Sequence, residues 1–156
     1  MSDYQFMKKA IDEALDNVLT NHGGPFGAIV VKDGKIIGVG RNEVTATNDP
    51  TAHAEVQAIR AACSYLNDFQ LTGCEIYTSC EPCPMCIGAI YWARPKAVYY
   101  ACTKLDAAKI GFDDQFIYDQ LELPMQSRKI PMKQISPADA NLPFRTWESS
   151  KNKVDY

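Results

Sequence analysis

The hydrophobic pattern changes period along the chain. From residue 3 to about 20, Met7, Ala10, Ile11, Ala14, Leu15 and Val18 recur every three or four positions, the spacing of one helix face. Gly23-Gly24-Pro25 ends that helix and opens a loop. Ala28-Ile29-Val30-Val31 is a continuous apolar run, as expected of a central strand. Asp33-Gly34 is a hairpin-turn dipeptide, so Lys35 to Val44 is predicted to return as the partner strand. A helical period resumes from Ala52 to Cys63 through Ala54, Ala58, Ile59 and Ala62. It follows Asn48-Asp49-Pro50-Thr51, which supplies turn and N-cap chemistry. Glu75 to Thr78 reads as a strand. A further helix opens near Cys83 and runs through Ile87, Ile90 and Tyr91, because Pro82 and Pro84 are tolerated only at a helix start.

Ala97 to Ala101 is another strand, Thr103 to Lys109 a short helix, and Gly111 to Tyr118 a loop. Lys129 to Ile135 is a candidate fifth strand that Pro131 would confine to an edge, and Ser136 is placed as the cap of a C-terminal helix through Trp147. Two strand–helix–strand steps in succession predict parallel pairing with right-handed crossovers. The expected fold is α/β: a three-layer α/β/α arrangement with a mixed five-stranded sheet flanked by helices. With 156 residues and no repeat, low-complexity segment or linker, residues 1–156 are expected to form a single domain.

Composition narrows the function classes. The hydrophobic share is 46% and the charged share 22%, ordinary for a soluble globule, and no apolar run reaches membrane-spanning length. The net charge of −3, with no Lys/Arg run longer than two, argues against a protein that grips nucleic acid through its phosphates. The first residues are polar and lack the form of an export signal. Six cysteines, three of them crowded at 80, 83 and 86, therefore read as free thiols and metal ligands rather than disulfides, and the expected compartment is cytoplasmic.

The chemistry concentrates in His53-Ala54-Glu55 and Pro82-Cys83-Pro84-Met85-Cys86. Thiolate and imidazole suit zinc better than magnesium or calcium, and three protein ligands leave a fourth tetrahedral position for water. Two thiolates balance the charge of the ion, and Glu55 stands beside the site as a carboxylate free for proton transfer. Both ligand sets fall at predicted helix N-termini, where the dipole favours thiolate over thiol. Two other readings exist. Cys80 could close a four-ligand structural site, and C-x-x-C-x-x-C begins an iron–sulfur motif, although Ile90 stands where the fourth cysteine would be.

On these words the chain resembles the cytidine deaminase-like superfamily of zinc-dependent nucleobase deaminases, and within it the guanine deaminase branch, over nearly its whole length. The matching words are Gly24-Pro25-Phe26-Gly27-Ala28, Asn48 to Glu55, Thr78 to Cys86, Ala89 to Arg94 and Gly111-Phe112-Asp113-Asp114. The resemblance implies one Zn²⁺ per chain and hydrolytic deamination of guanine, a small purine base, to xanthine and ammonia. It implies Glu55 as proton shuttle, with Asp114 as a second catalytic group. It further implies Phe26, Asn42, Trp92, Asp114 and Tyr156 as substrate contacts: Phe26 by ring stacking, Asn42 through an amide that donates and accepts, Asp114 as acceptor from the guanine N–H groups. Each has a plainer reading, as core aromatic, turn former, solvated loop acid or frayed terminus. A homodimer is implied too, with C-terminal segments of about 137–156 exchanged so that each closes a neighbour's site. The competing readings are a tRNA adenosine deaminase, which would need a basic groove, a deaminase of another small heterocycle such as cytosine, and a zinc-stabilised binding module, which has no use for Glu55.

Overall fold

The computed structural model describes all 156 residues, and the chain divides into two compact units, Met1–Asp114 and Gln115–Tyr156. The first opens with α1, Asp3–Leu19, whose N-terminus is closed by a capping box between Ser2 and Gln5. Its buried face is Phe6, Ala10, Ala14 and Asn17. Strand β1, Gly27–Lys32, is buried through Val31, and β2, Lys35–Arg41, returns antiparallel to it. Between them Asp33 and Gly34 take φ of 50° and 76°, the two left-handed positions of a tight hairpin turn. A single turn, α2 (Val44–Thr47), precedes α3, Ala54–Leu66. Then come β3 (Cys74–Cys80), α4 (Pro84–Ala93), β4 (Ala97–Cys102) and α5 (Lys104–Lys109).

The sheet has four strands in the order β2-β1-β3-β4. β1 is antiparallel to both neighbours and β3 is parallel to β4. Of the two expected parallel crossovers, only β3–α4–β4 therefore joins adjacent strands. β2–α3–β3 steps over β1, because β1, apolar and buried from Gly27 to Val31, is best placed between two neighbours whereas β2, with exposed Lys35 and Val39, suits an edge. One core layer is Phe6, Ala10, Ile29, Val31 and Tyr77, beneath α1. The other joins Ala28, Val30 and Ile76 to Ala54, Ala58 and Ala62 of α3 and to Ile90 and Ala93 of α4. The helices thus flank the sheet on both faces, as expected for the fold.

The unit Gln115–Tyr156 departs from the sequence reading in three places. Lys129 to Ile135 forms no strand, so the sheet has four strands rather than five; Pro131 offers no N–H, and the segment has no ladder partner in the chain. Gln115 to Tyr118, expected as loop, begins helix α6 (Gln115–Glu122), in which Phe116 and Gln120, Ile117 and Leu121 fall four apart. The last helix, α7, spans Leu142–Ser149 rather than starting at Ser136, because Pro143 belongs in a first turn and Asn141 takes the cap position. Between the two helices Arg128 Nε donates to the Gln120 carbonyl at 3.0 Å, and the Lys129 amide donates to Gln120 Oε1 at 2.7 Å. No side chain of this unit is buried.

The approach of α3 to the sheet is set by glycines of β2. A Cβ at Gly38 would lie 2.6 Å from the Ala58 carbonyl oxygen, and one at Gly40 would fall on the Ala54 carbonyl and the Ala58 amide. Ala54, Ala58 and Ala62 are correspondingly small and fully buried. Backbone, not a flexible side chain, would have to give way. Gly40→Ala should therefore destabilise the fold by about 1–3 kcal/mol, the usual cost of overpacking. Thermal or urea unfolding reads this directly, and an unchanged midpoint would contradict the close-packed α3–β2 contact.

Candidate active site

The packing of α3 and α4 on one face of the sheet brings their N-termini together. His53 is the residue capping α3, with φ −72° and ψ 156°, and Glu55 lies in the first turn. Cys83 occupies the same place on α4, followed by Pro84 in the first turn, and Cys86 is buried one turn in. Neither cap residue uses its side chain to close its own helix, so both side chains are available to a ligand. His53 Nδ1 stands 3.5 Å from Cys83 Sγ and 3.5 Å from Cys86 Sγ, and the three ligand atoms all lie within 4.8 Å of one another. Tetrahedral zinc bonds to nitrogen and sulfur imply an N···S separation of about 3.6 Å, so the spacing fits that ion.

The electrostatics of the three groups belong to a site built for a cation. The Cys83 thiol is pulled down to about 4 by the hydrogen bond from Cys86 and by the one from His53. Cys86 is pushed far up, because its proton is held by Cys83 and because it is buried. His53 is raised through its bond to Cys83. A metal ion bound by these three residues would take the place of the shared protons. Cys80 does not join the cluster. Its thiol faces the Thr103 carbonyl at 3.6 Å, and burial pushes it up to about 11. Cys80 would therefore not serve as a fourth ligand, and a zinc ion held by His53, Cys83 and Cys86 would keep a coordination position for water.

Glu55 is only 6% exposed. Burial raises its carboxyl above the ordinary range, against the opposing pull of hydrogen bonds with Cys86 and Thr78. Such a group sits beside the cysteines without belonging to the ligand cluster.

Other residues singled out in the sequence divide. Phe26 is half-buried, packs against the α3–α4 core and meets Phe112 edge-on at 5.0 Å between ring centres. Asn42 is buried just after β2; its backbone N–H donates to the Phe26 carbonyl at 3.2 Å, and its side-chain Oδ1 accepts from the Val44 backbone N–H at 3.2 Å. Asp114 is half-buried, with its carboxyl raised by burial and by the nearby charge of Cys83. Trp92, in contrast, is 61% exposed on α4, whose buried face is Cys86, Ile90 and Ala93. Tyr156 belongs to the unit Gln115–Tyr156 and is exposed there.

One supporting residue was not singled out. Asn17, fully buried on α1, donates from Nδ2 to the carbonyls of Gly24 at 2.7 Å and Asn42 at 2.9 Å. It thereby ties together the loop before Phe26 and the backbone of Asn42. The available signal was a polar residue three positions after Ala14 on the apolar stripe of α1.

The arrangement agrees with what known proteins share with the chain. The family model for the cytidine and deoxycytidylate deaminase zinc-binding region matches residues 1–102. The guanine deaminase of Bacillus subtilis is 54% identical over 156 residues, covering 100% of both chains. The X-ray structure of guanine deaminase from that organism superimposes with a TM-score of 0.98, covering 100% of this chain and 99% of that one. A tRNA-specific adenosine deaminase of Aquifex aeolicus is 43% identical over 101 residues, 65% of this chain and 66% of its own length.

Replacing Cys83 by Ala should abolish zinc binding, whereas Cys80→Ala should retain about one zinc per chain, the number an open three-ligand site holds. Metal analysis of the purified variants tests this. Equal metal loss from both would mean that Cys80 is a ligand.

Proposed function

The chain belongs to the cytidine and deoxycytidylate deaminase zinc-binding family, and we propose that it hydrolyses guanine to xanthine and ammonia. One observation carries this reading: identity to a guanine deaminase extends over the whole chain, including residues beyond the zinc region, whereas identity to the adenosine deaminase of tRNA stops at 65% of the chain. The net charge of −3 points the same way, since a tRNA enzyme of this kind would need a basic groove.

His53, Cys83 and Cys86 would hold the zinc ion, which supplies the Lewis acidity that makes a water nucleophilic near neutral pH. Glu55 carries the protons. It accepts one as water attacks the carbon bearing the exocyclic amine, and passes it to the adjacent ring nitrogen. The departing amine needs a further proton, which Glu55 takes from the hydroxyl added to that carbon and hands on, with Asp114 assisting, as the carbonyl of xanthine forms. Burial raises this carboxyl above its ordinary range, the direction that suits a group that must both take and give a proton.

The base is assigned to Phe26 as stacking platform, to the side-chain amide of Asn42, and to Asp114 as acceptor from the ring N–H and amine. What supports this is placement: Phe26 and Asn42 are held to each other by a backbone hydrogen bond, and Asp114 feels the charge of Cys83. Trp92 is assigned to the wall and Tyr156 to the cover. An acceptor that a bound base would cover discriminates strongly against bases that leave it unpaired.

The working form is read as a homodimer that exchanges its C-terminal segments of about 137–156, each closing the partner's site and excluding water. Support comes from the apolar side chains left uncovered in a single chain, among them Phe116, Ile130, Ile135, Phe144 and Trp147. The expected compartment is the cytoplasm, and the six free cysteines support that reading.

Ammonia release from guanine, adenine, cytosine and a tRNA anticodon stem-loop tests the substrate. Guanine should exceed the others by about 10⁴-fold, the discrimination available to a site that hydrogen-bonds its substrate. Faster turnover of the stem-loop would overturn the assignment. Deleting Lys153 to Tyr156 should leave the unfolding midpoint nearly unchanged and cut guanine turnover sharply. Mixing that deletion variant with Glu55→Gln under conditions of subunit exchange should restore activity, because one site of each mixed dimer is complete. No recovery after verified exchange would place the cover on its own chain.

A further inference from the structure

Strand β3 carries a polar group where its pattern calls for none. Cys74 and Ile76 face the core shared with Ala54, Ala58, Ile90 and Ala93, and Thr78 follows on the same side of the strand. Thr78 is fully buried, beside Ala28 and Tyr100 on the neighbouring strands. Valine would fill the same volume there, and a buried hydroxyl is unfavourable unless it is hydrogen-bonded. The hydroxyl has two partners. Thr78 Oγ1 lies 3.1 Å from Glu55 Oε1 and 3.0 Å from the carbonyl oxygen of Cys80.

The two partners have different origins. Glu55 belongs to α3, whereas the Cys80 carbonyl belongs to the end of β3, from which the chain runs into the Cys83 loop. A single hydroxyl proton serves only one acceptor at a time. Thr78 can donate to a carboxylate at Glu55. It can equally accept from a carboxylic acid there while turning its own proton to the Cys80 carbonyl. An aliphatic side chain could hold the carboxyl in neither state, whereas the hydroxyl can pair with Oε1 whichever carboxyl oxygen carries the proton.

We propose that Thr78 is a positioning residue for the proposed reaction, its hydroxyl fixing the Glu55 carboxyl in line with the substrate through each proton transfer. This rests on the reading of Glu55 as proton carrier. Thr78 is not a member of the ligand cluster formed by His53, Cys83 and Cys86, and its hydroxyl bonds are to Glu55 and the Cys80 carbonyl.

Thr78→Val, Thr78→Ser, Glu55→Gln and the Glu55→Gln/Thr78→Val double variant would be compared by zinc content, unfolding midpoint and guanine kinetics. Thr78→Val should keep its zinc and a near-normal KM while kcat falls about 10- to 100-fold, the range for a lost hydrogen bond to a charged group. Thr78→Ser, which keeps the hydroxyl, should recover most of that loss. In the Glu55→Gln background the Val substitution should change kcat by less than about 2-fold, because residues acting through one another are not additive. A wild-type kcat in Thr78→Val, an equal loss in both backgrounds, or loss of zinc from Thr78→Val would each overturn the role of Thr78. Wild-type turnover in zinc-loaded Glu55→Gln would instead overturn the Glu55 assignment, and this inference with it.

Discussion

The structure depends on two helix N-termini meeting at one point. α3 and α4 lie on the same face of the sheet, and each begins with a side chain that does not cap its own helix: His53 on one, Cys83 on the other. Their contact at 3.5 Å, with Cys86 at the same distance from the ring, makes a three-cornered ligand set in which His53 stands 30 and 33 positions before the two cysteines. The helix dipoles add their positive ends to the same spot and favour thiolate there. Everything that fixes where α3 and α4 begin therefore serves the site. Gly38 and Gly40 let α3 lie against β2, and Pro84 sets the first turn of α4.

Chemistry then follows from what stands next to the ligands. Glu55 shares the first turn of α3 with His53 and is buried, so it is close to the ligands yet outside their set. That combination distinguishes a hydrolytic zinc site from a structural one, which would have a fourth ligand and no use for a buried carboxyl. Cys80, the residue that could have supplied the fourth ligand, turns its thiol to the Thr103 carbonyl instead. Membership of the deaminase family and full-length likeness to a guanine deaminase support reading guanine as the base this arrangement acts on.

The site was legible in the sequence because metal chemistry needs particular residue types at particular spacings. His53, Glu55, Cys83 and Cys86 declare themselves in order, without knowledge of the fold. Helices α1, α3 and α4 were legible because each repeats its apolar residues over two turns or more. Sheet order was not: period two assigns faces, and nothing local says that β1 separates β2 from β3. The segment Lys129 to Ile135 looks like a strand by composition, but a strand exists only where a partner offers a ladder. Thr78 was hidden for another reason. Threonine is ordinary in strands, and only its partners in space, Glu55 and the Cys80 carbonyl, set it apart from a neutral filler. Asn17 was hidden in the same way on the apolar stripe of α1.

The most direct test of the central claim is the coordination shell of the metal itself. X-ray absorption at the zinc edge of the purified protein distinguishes sulfur from lighter ligands at their separate bond lengths of about 2.3 and 2.0 Å. The open site built by His53, Cys83 and Cys86 predicts two sulfur and two nitrogen or oxygen neighbours, one of the latter exchangeable with solvent. A shell of three sulfurs and one nitrogen would bring Cys80 into the site, close the position reserved for water, and contradict the account.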